Sequence, residues 1–439
     1  MNDFVEQRGC VIRKWATAMV LVCLVCRSRL CAAQTYGDFQ YTVSGAGVTI
    51  TGYTGSGGAV AIPPSIPSVG TVTSIGDGAF SARWGNMSLT SVTIPDSVTS
   101  IGGAAFYYCF NLTNVTLGTS VTSIGNETFH NCIRLTDVNL PDSLASIGDS
   151  AFDTTELTSV TLGGTVTNIG QAAFSNCSEL TTITVDSLNP AYSSVSGVLF
   201  NKSRSTLIQC PGGKSGAYAI PNSVTSIGGS AFTGCGRLTS VAIPDSLTSI
   251  GDSAFTWCTG PTSVAIPNSV TNIGDWAFEF CSGLTSVTIP NSVTSIGVDA
   301  FLDCSGLTNV IIGTSVTSIG YSAFCGCSSL TSAYFLGDGP ISFGGHVFDY
   351  ANSGFTIYYA ASQPPQIETK DGRFGVGTSG FGFNFTDASN TVVVVESCTN
   401  LADHIWNPLQ TNTLTGGSLY FSDPQWTNYP SCFYRFRRQ

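Results

Sequence analysis

The sequence predicts a repeat solenoid of mainly β structure. Short parallel strands stack coil upon coil, joined by short helical or 3₁₀ turns, and a small C-terminal antiparallel β module follows. Three observations carry this. A Phe, nearly always after Ala, returns at 80, 106, 129, 152, 174, 232, 255, 278, 301 and 324, most often 23 residues after the last. Self-similarity at a period of roughly 20–50 residues is the signature of stacked repeats. The unit LTSVTIPNSVTSIGVDAFLDC, from Leu284 to Cys304, spaces its apolar residues as short strands do. Pro, Gly and β-branched residues recur too often for a repeat of paired helices.

Within that unit each position has a job. Leu284, Val287 and Ile289 form a short strand with one face inward. Pro290 has no N–H for the ladder and ends it, and Asn291-Ser292 supply turn chemistry. Val293 and Ile296 return to the interior as a second extended segment, and Gly297 is expected to take the positive φ of a tight corner. Ala300 allows close contact between coils, Phe301 fills the coil, and Cys304 acts as a small buried hydrophobe. Asp299 to Cys304 has room for one helical or 3₁₀ turn. A coil alone cannot offset the entropy of its own ordering, but a stack can. Strands stacked at roughly 4.8 Å make about a dozen coils a rod or shallow arc on the order of 55 Å long. Phe200 and Phe348 read as degenerate members of the Phe series.

The segment LTSVTIPNSVTSIG..AF..CSG resembles the BspA-like leucine-rich repeat family of bacterial surface proteins, over residues 64 to 362. The stretch from Asn189 to Gly228 resembles a longer variant of that repeat. The resemblance implies a secreted or cell-surface protein that binds other macromolecules, in some members host matrix proteins, and it brings no catalytic residues.

In chain order, residues 1–33 read as a secretory signal peptide. Arg13-Lys14 precede the apolar run 15–26, and Cys31-Ala32-Ala33 offer a small-residue cleavage site near Ala33. The apolar run is shorter than the roughly 20 residues a membrane span needs, so no transmembrane segment is expected in the mature chain. Residues 34–63 alternate polar and apolar over two short strands with Gly-rich turns, an N-terminal β cap over the first coil's open edge. Residues 64–362 are the solenoid, whose last coil (333–366) loses the consensus and runs into a Pro-containing linker. Residues 363–439 are the linker and C-terminal module, with strands expected at RFGVGTSGFGFNF, TVVVVES, IWNPLQTNTL, SLYFSDP and CFYRFRR. That end resembles a tail found on exported bacterial repeat proteins.

Charge and composition narrow the function. The net charge is −11, and removing residues 1–33 takes away five basic and two acidic residues, leaving −14. Such a surface repels phosphate backbones, so nucleic acid is not an expected partner. Eight cysteines, 109, 132, 177, 235, 258, 281, 304 and 327, each sit three residues after a repeat Phe. Stacking sets neighbours farther apart than the Cβ separation of about 3.8 Å that a disulfide prefers, so they read as a ladder of reduced, buried thiols. Cys398 and Cys432, flanking the C-terminal module, are the disulfide candidates, and Cys210 and Cys325 have no assignment.

No catalytic motif, metal set or cofactor signature appears, so neither enzyme activity nor a cofactor is expected. His130, His346 and His404 lie on different units, and His130 reads as a plain surface residue. Asp or Asn after the strand-ending Pro (Asp96, Asp142, Asn222, Asp245, Asn268, Asn291) could form a calcium ladder, but turn formation explains them with no metal. Outward Thr93, Thr116, Thr161, Thr184 and Thr288 suggest an ice-binding-like array, which Asn139, Ala242, Ala265, Ile311 and Tyr334 interrupt.

Two aromatic groups break the small, polar default of the variable positions. Trp257 and Phe280 share one repeat position on adjacent coils with Trp276 close by, and Tyr107, Tyr108 and Phe110 crowd another coil. Exposed, they would be candidate partner-binding residues for an extracellular protein or glycan; folded back, they would be extra core. The expected function is protein–protein interaction or adhesion without catalysis, with a carbohydrate-binding or surface-structural scaffold as the alternative.

Overall fold

All eight inward side chains expected of the coil Leu284 to Cys304 are buried: Leu284, Val287, Ile289, Val293, Ile296, Ala300, Phe301 and Cys304. The computed structural model describes residues 34–45, 47–82, 88–337, 339–340 and 342–361, and the C-terminal strands 374–377, 380–386, 392–398, 407–413, 418–423 and 432–438. The expected leader, residues 1–33, lies outside the described residues.

Each coil has three sides. The first carries the Leu-x-x-Val-x-Ile strands, such as Ser263–Ala265, Ser286–Ile289 and Asn309–Ile312, paired in parallel with like residues opposite, Val264 to Val287 and Val287 to Val310. The second is a narrow strip of Ser-Ile or Asn-Ile pairs, Asn272–Ile273, Ser295–Ile296 and Ser318–Ile319, again parallel and in register. The third carries the repeat Phe. Its rings stack inside the solenoid with centroids 4.7–5.5 Å apart, from Phe80 to Phe174 and from Phe232 to Phe348. Tyr53 closes the first column against Phe80, and Phe355 packs on Phe348 at the other end.

The Phe side is not the helical turn that the sequence suggested, and no α-helix occurs among the described residues. From Phe106 onward, the residues two before and two after the repeat Phe have positive φ, as at Asp299 (52°) and Asp303 (54°) around Phe301. This alternation lets every second N–H point at the next coil. Asp299, Phe301 and Asp303 donate to the carbonyls of Tyr321, Ala323 and Cys325 at 2.9, 2.7 and 2.8 Å. The N–H groups between them fold back, Leu302 onto Asp299 and Cys304 onto Phe301. The third side is therefore a hydrogen-bonded ladder like the other two, built from tight turns. On the last coil the matching donors, His346, Phe348 and Tyr350, find no acceptor among the described residues.

Gly297 corrects a second expectation. Its φ is not positive. A Cβ there would lie 2.5 Å from the carbonyl carbon and oxygen of Gly274 and 2.6 Å from the Asp275 nitrogen. The residue is Gly because one coil's backbone rests on the next, and Gly125 and Gly344 repeat the contact at 2.6 and 2.5 Å.

Polar residues tie the coils together where the core leaves off. Thr308 and Thr317 donate their hydroxyls to the carbonyls of Thr285 and Thr294, one coil earlier, and Ser292 donates to Val270. Asp96 accepts from both the N–H and the hydroxyl of Thr119, which holds its carboxyl below the usual range. Asn291 accepts from the Thr314 N–H at 2.9 Å. At these two positions the side chains after the strand-ending Pro bond across to the next coil, a role beyond the local turn chemistry expected of them. The outward Thr array is broken: Thr93 faces Thr116 and Thr161 faces Thr184, but Thr288 lies between Ala265 and Ile311.

The repeat cysteines are free thiols, and all eight are buried. Cys304 donates its S–H to the Phe278 carbonyl at 3.1 Å, and Cys132, Cys281 and Cys327 do the same to the Phe of the preceding coil. Burial pushes the Cys109 thiol up to about 12 and the Cys177 thiol up to about 11. It raises Cys132, Cys258 and Cys304 well above the ordinary 9.0.

The departure in period between Phe174 and Phe232 is an inserted hairpin, Tyr192–Val195 with Val198–Asn201, turned at Ser196-Gly197 with both φ positive. Phe200 is buried on this hairpin rather than on a repeat turn. Buried Asn189 secures its base, donating to the Gly163 and Val166 carbonyls and accepting from the Ala191 and Tyr192 N–H groups. At the N-terminal end, Gln34–Tyr36, Phe39–Ser44 and Gly47–Tyr53 form an antiparallel meander. Its last strand pairs in parallel with Gly70–Ile75, so the meander continues the Ser-Ile side.

All five expected C-terminal segments contain strands, which pair antiparallel. The strand Cys432–Arg438 also pairs with Thr356–Ala361 of the last coil, joining this segment to the solenoid sheet. Cys398 lies opposite Phe433 on these paired strands, next in line to Cys432. Both cysteine side chains lie outside the described ones.

Two outcomes follow from this packing. Gly297→Ala forces apart two backbones in contact and is expected to cost about 1–3 kcal/mol, against about 3–5 kcal/mol for Phe301→Ala, both read by urea denaturation. The raised thiols are protonated in the fold at a pH where an unfolded thiol ionises. Their stabilising contribution is thus complete below the ordinary 9.0 and is lost as pH rises toward their folded values. The urea midpoint should fall above that pH, with a slope that flattens as repeat cysteines are replaced by Ala.

Candidate functional site

The positive-φ positions of the Phe side face outward, and most hold residues that tolerate this backbone or are small. Asn131, Asn176, Asp299, Asp303, Gly234 and Gly326 occupy six of them. Three neighbouring positions do not follow the rule. Trp257, Trp276 and Phe280 have φ of 60°, 54° and 56°. The left-handed region costs an L-residue roughly 1–2 kcal/mol, and bulky side chains are uncommon there. These rings sit where local backbone preference would not put them.

Trp257 and Phe280 stack across adjacent coils with centroids 4.1 Å apart and planes 17° from parallel. The register comes from the ladder, since Trp257 N–H donates to Glu279 O and Phe280 N–H to Leu302 O. Trp257 is nevertheless 49% exposed and Phe280 half-buried. Trp276, 41% exposed, donates its indole N–H to the Asp299 carboxylate at 3.2 Å. The rings are therefore not extra core. Trp257 and Phe280 form a stacked aromatic platform, with Trp276 exposed at the other left-handed position of Phe280's coil; the pairing follows the sequence reading, but the left-handed backbone was not foreseen.

Carboxylates border the platform. Glu279, between the Trp276 and Phe280 positions, is half-buried, and its carboxyl is raised above the ordinary value, first by burial and then by the charges of Asp299 and Asp303. No lysine or arginine pairs with Glu279, Asp299 or Asp303 among the described residues.

The second aromatic group is packed differently. Tyr107 stacks on His130 of the next coil at 5.0 Å and meets Tyr108 edge-on at 4.3 Å, and Tyr108 meets Phe110 edge-on. Only Phe110 is substantially exposed. His130, expected on the plain surface, is half-buried, with its Nδ1 3.1 Å from Asp153. The sequence missed this because the Tyr107 ring and the imidazole are neighbours only through the stacking register. This group mostly consolidates its own turns. His346 and Asp349 pair on the last coil, with Tyr321 edge-on to the imidazole.

The platform can be separated from stability. Trp257→Gly removes the left-handed cost of roughly 1–2 kcal/mol while forfeiting a stacking contact of about 0.5–1.5 kcal/mol. The variant should melt within about 1 kcal/mol of the parent, which thermal denaturation checks.

Comparison with known proteins fits this architecture. The profile of the BspA type leucine rich repeat region matches residues 64–205 and 215–331, in six copies. A leucine-rich repeat protein of Eubacterium ventriosum is similar in structure, with TM-score 0.57 and 24% identity over 69% of this chain and 83% of that one. The pneumococcal vaccine antigen PcpA is similar at TM-score 0.55 and 22% identity, over 69% and 87%. A leucine rich cell surface protein of Faecalibacterium prausnitzii shares 30% identity over 65% of this chain and 96% of its own, at TM-score 0.44. A search of curated proteins gave no match. The profile covers more than half of the sequence, and the chain belongs to the BspA-type leucine-rich repeat family.

Proposed function

We propose that this chain is a non-catalytic interaction scaffold of the bacterial cell surface, reached by secretion, which holds an extracellular macromolecule against the Phe side of its solenoid. The observation that carries this is the Trp257–Phe280 stack, with the Trp257 ring exposed, held at left-handed backbone positions where smaller residues are favoured. Clustered aromatic side chains on a rigid frame are what interface hot spots are made of. The family supports the setting, and the leader-like residues 1–33 support export. Adhesion is the form of interaction this favours, because a long stack of coils presents its binding side away from its ends.

A carbohydrate ligand is the second reading. A flat ring pair beside carboxylate acceptors also suits a sugar face. The two are told apart by screening residues 34–439 against extracellular matrix proteins and a glycan array, with Trp257→Gly alongside. Protein capture lost in the variant supports the proposal; capture confined to glycans and lost in the variant favours the second reading. Binding that survives Trp257→Gly in every format would move recognition off the platform.

A further inference from the structure

We infer that the occupant of the Trp257–Trp276–Phe280 platform is a basic polypeptide segment, with arginine or lysine side chains laid over the rings and paired with the surrounding carboxylates. This rests on the proposed function and names its partner class.

Charge makes the choice. From Leu238 to Thr369 the sequence contains no lysine or arginine at all, while Asp245, Asp252, Asp275, Glu279, Asp299 and Asp303 all fall on these coils. Asp252 and Asp275 accept from the N–H groups of Asp275 and Val298 on the following coils. Glu279, Asp299 and Asp303 instead belong to the outer Phe side, half-buried and with no cation among the described residues. Three carboxylates gathered without a counter-charge repel one another, and the Glu279 carboxyl is raised first by burial and then by the charges of Asp299 and Asp303. A neutral sugar leaves that repulsion in place. A guanidinium or ammonium group relieves it and, over an indole face, adds the attraction of a cation for the ring quadrupole. Asp299 already holds the Trp276 indole in position, so ring and carboxylate are offered together.

The arrangement has direction. Trp257, Phe280 and Asp303 succeed one another at the same repeat position on three consecutive coils, and Trp276 and Asp299 do so at the other left-handed position. Ring-bearing coils thus lie beside a carboxylate-bearing coil. An extended basic segment running along the solenoid axis meets rings first and carboxylates next.

The test uses residues 34–439 and a fluorescent peptide of alternating Arg and Gly, with a Gly-Ser peptide and neutral oligosaccharides as comparison probes. Tryptophan quenching and anisotropy should show the Arg-Gly peptide binding and the neutral probes not. Trp257→Gly should weaken binding by roughly threefold to thirtyfold, the range of one cation–ring contact. The triple variant Glu279→Gln, Asp299→Asn, Asp303→Asn should abolish it, with circular dichroism confirming the fold. Neutralising Asp142 and Asp245, which lie after strand-ending prolines, changes net charge without touching the platform and should leave binding intact. Equal loss in that control, or full binding by the triple variant, would mean diffuse attraction to an acidic protein and would overturn the inference. Salt-insensitive binding of a neutral oligosaccharide lost in Trp257→Gly would overturn it while keeping the platform as a binding site. If Trp257→Gly changes binding to no macromolecule, the proposed function fails as well.

Discussion

One backbone resting on the next at a glycine sets the geometry from which the rest of this solenoid follows. Where Gly297 meets Gly274 there is no room for a methyl group. That contact fixes how near successive coils come, and a ring stack, a strand ladder and a row of S–H to carbonyl bonds all require nearly that spacing. The Phe centroids near 5 Å, the parallel Val-to-Val register and the Cys304–Phe278 bond are therefore one constraint met by three kinds of chemistry. It also explains the low charge of the chain. Long charged side chains are hard to repeat at such a spacing, since like charges would stack, whereas Thr, Ser and Asn donate to or accept from the neighbouring coil and gain by repetition.

The same repetition makes departures meaningful. A substitution on a repeated side is set between near-copies of itself, so the effect of ordinary packing is visible on either side of it. The left-handed positions are the clearest case. Asn, Asp, Gly and small residues fill most of them, which is what backbone energetics favour. Trp257, Trp276 and Phe280 depart from that on adjacent coils, with the two Trp rings exposed and Phe280 half-buried. Tyr108 has a left-handed backbone too (φ 61°), but its ring is half-buried and meets Tyr107, Phe110 and His130. Identical backbone geometry thus supports a cluster of rings packed on one another in one place and, in the other, a single ring pair flanked by the exposed Trp276.

Much of this was legible in the residues. The period, the eight inward positions, the buried thiols and the C-terminal strands follow from spacing and hydrophobicity, which are properties of one chain read in order. The pairing of Trp257 with Phe280 was legible for the same reason, because equal repeat positions must stack. What escaped notice depends on backbone direction. Gly297 looked like a corner glycine because Gly so often means positive φ, yet the left-handed residues are its neighbours Asp299 and Asp303, ordinary residues with no sequence mark for that role. His130 looked exposed because its unit alone gives it no partner; Tyr107 and Asp153 come from the coils before and after.

Charge distribution supplies the last step. In a globular protein, an excess of carboxylates can be spread over a closed surface, but a solenoid places each repeat position one coil from its copy. An acidic residue at such a position is thus forced near any other acidic residue in the same column. The coils after Arg237 accept this without a single lysine or arginine up to Thr369. Where the carboxylate can turn to a backbone N–H, as Asp252 and Asp275 do, its charge is absorbed by the fold. Glu279 has no such escape, being set between two aromatic positions with Asp299 and Asp303 on the following coil. Stability alone would favour a neutral residue there, and the unfavourable charge and the strained rings occur together on a stretch of the Phe side where both could be relieved by the same positively charged partner.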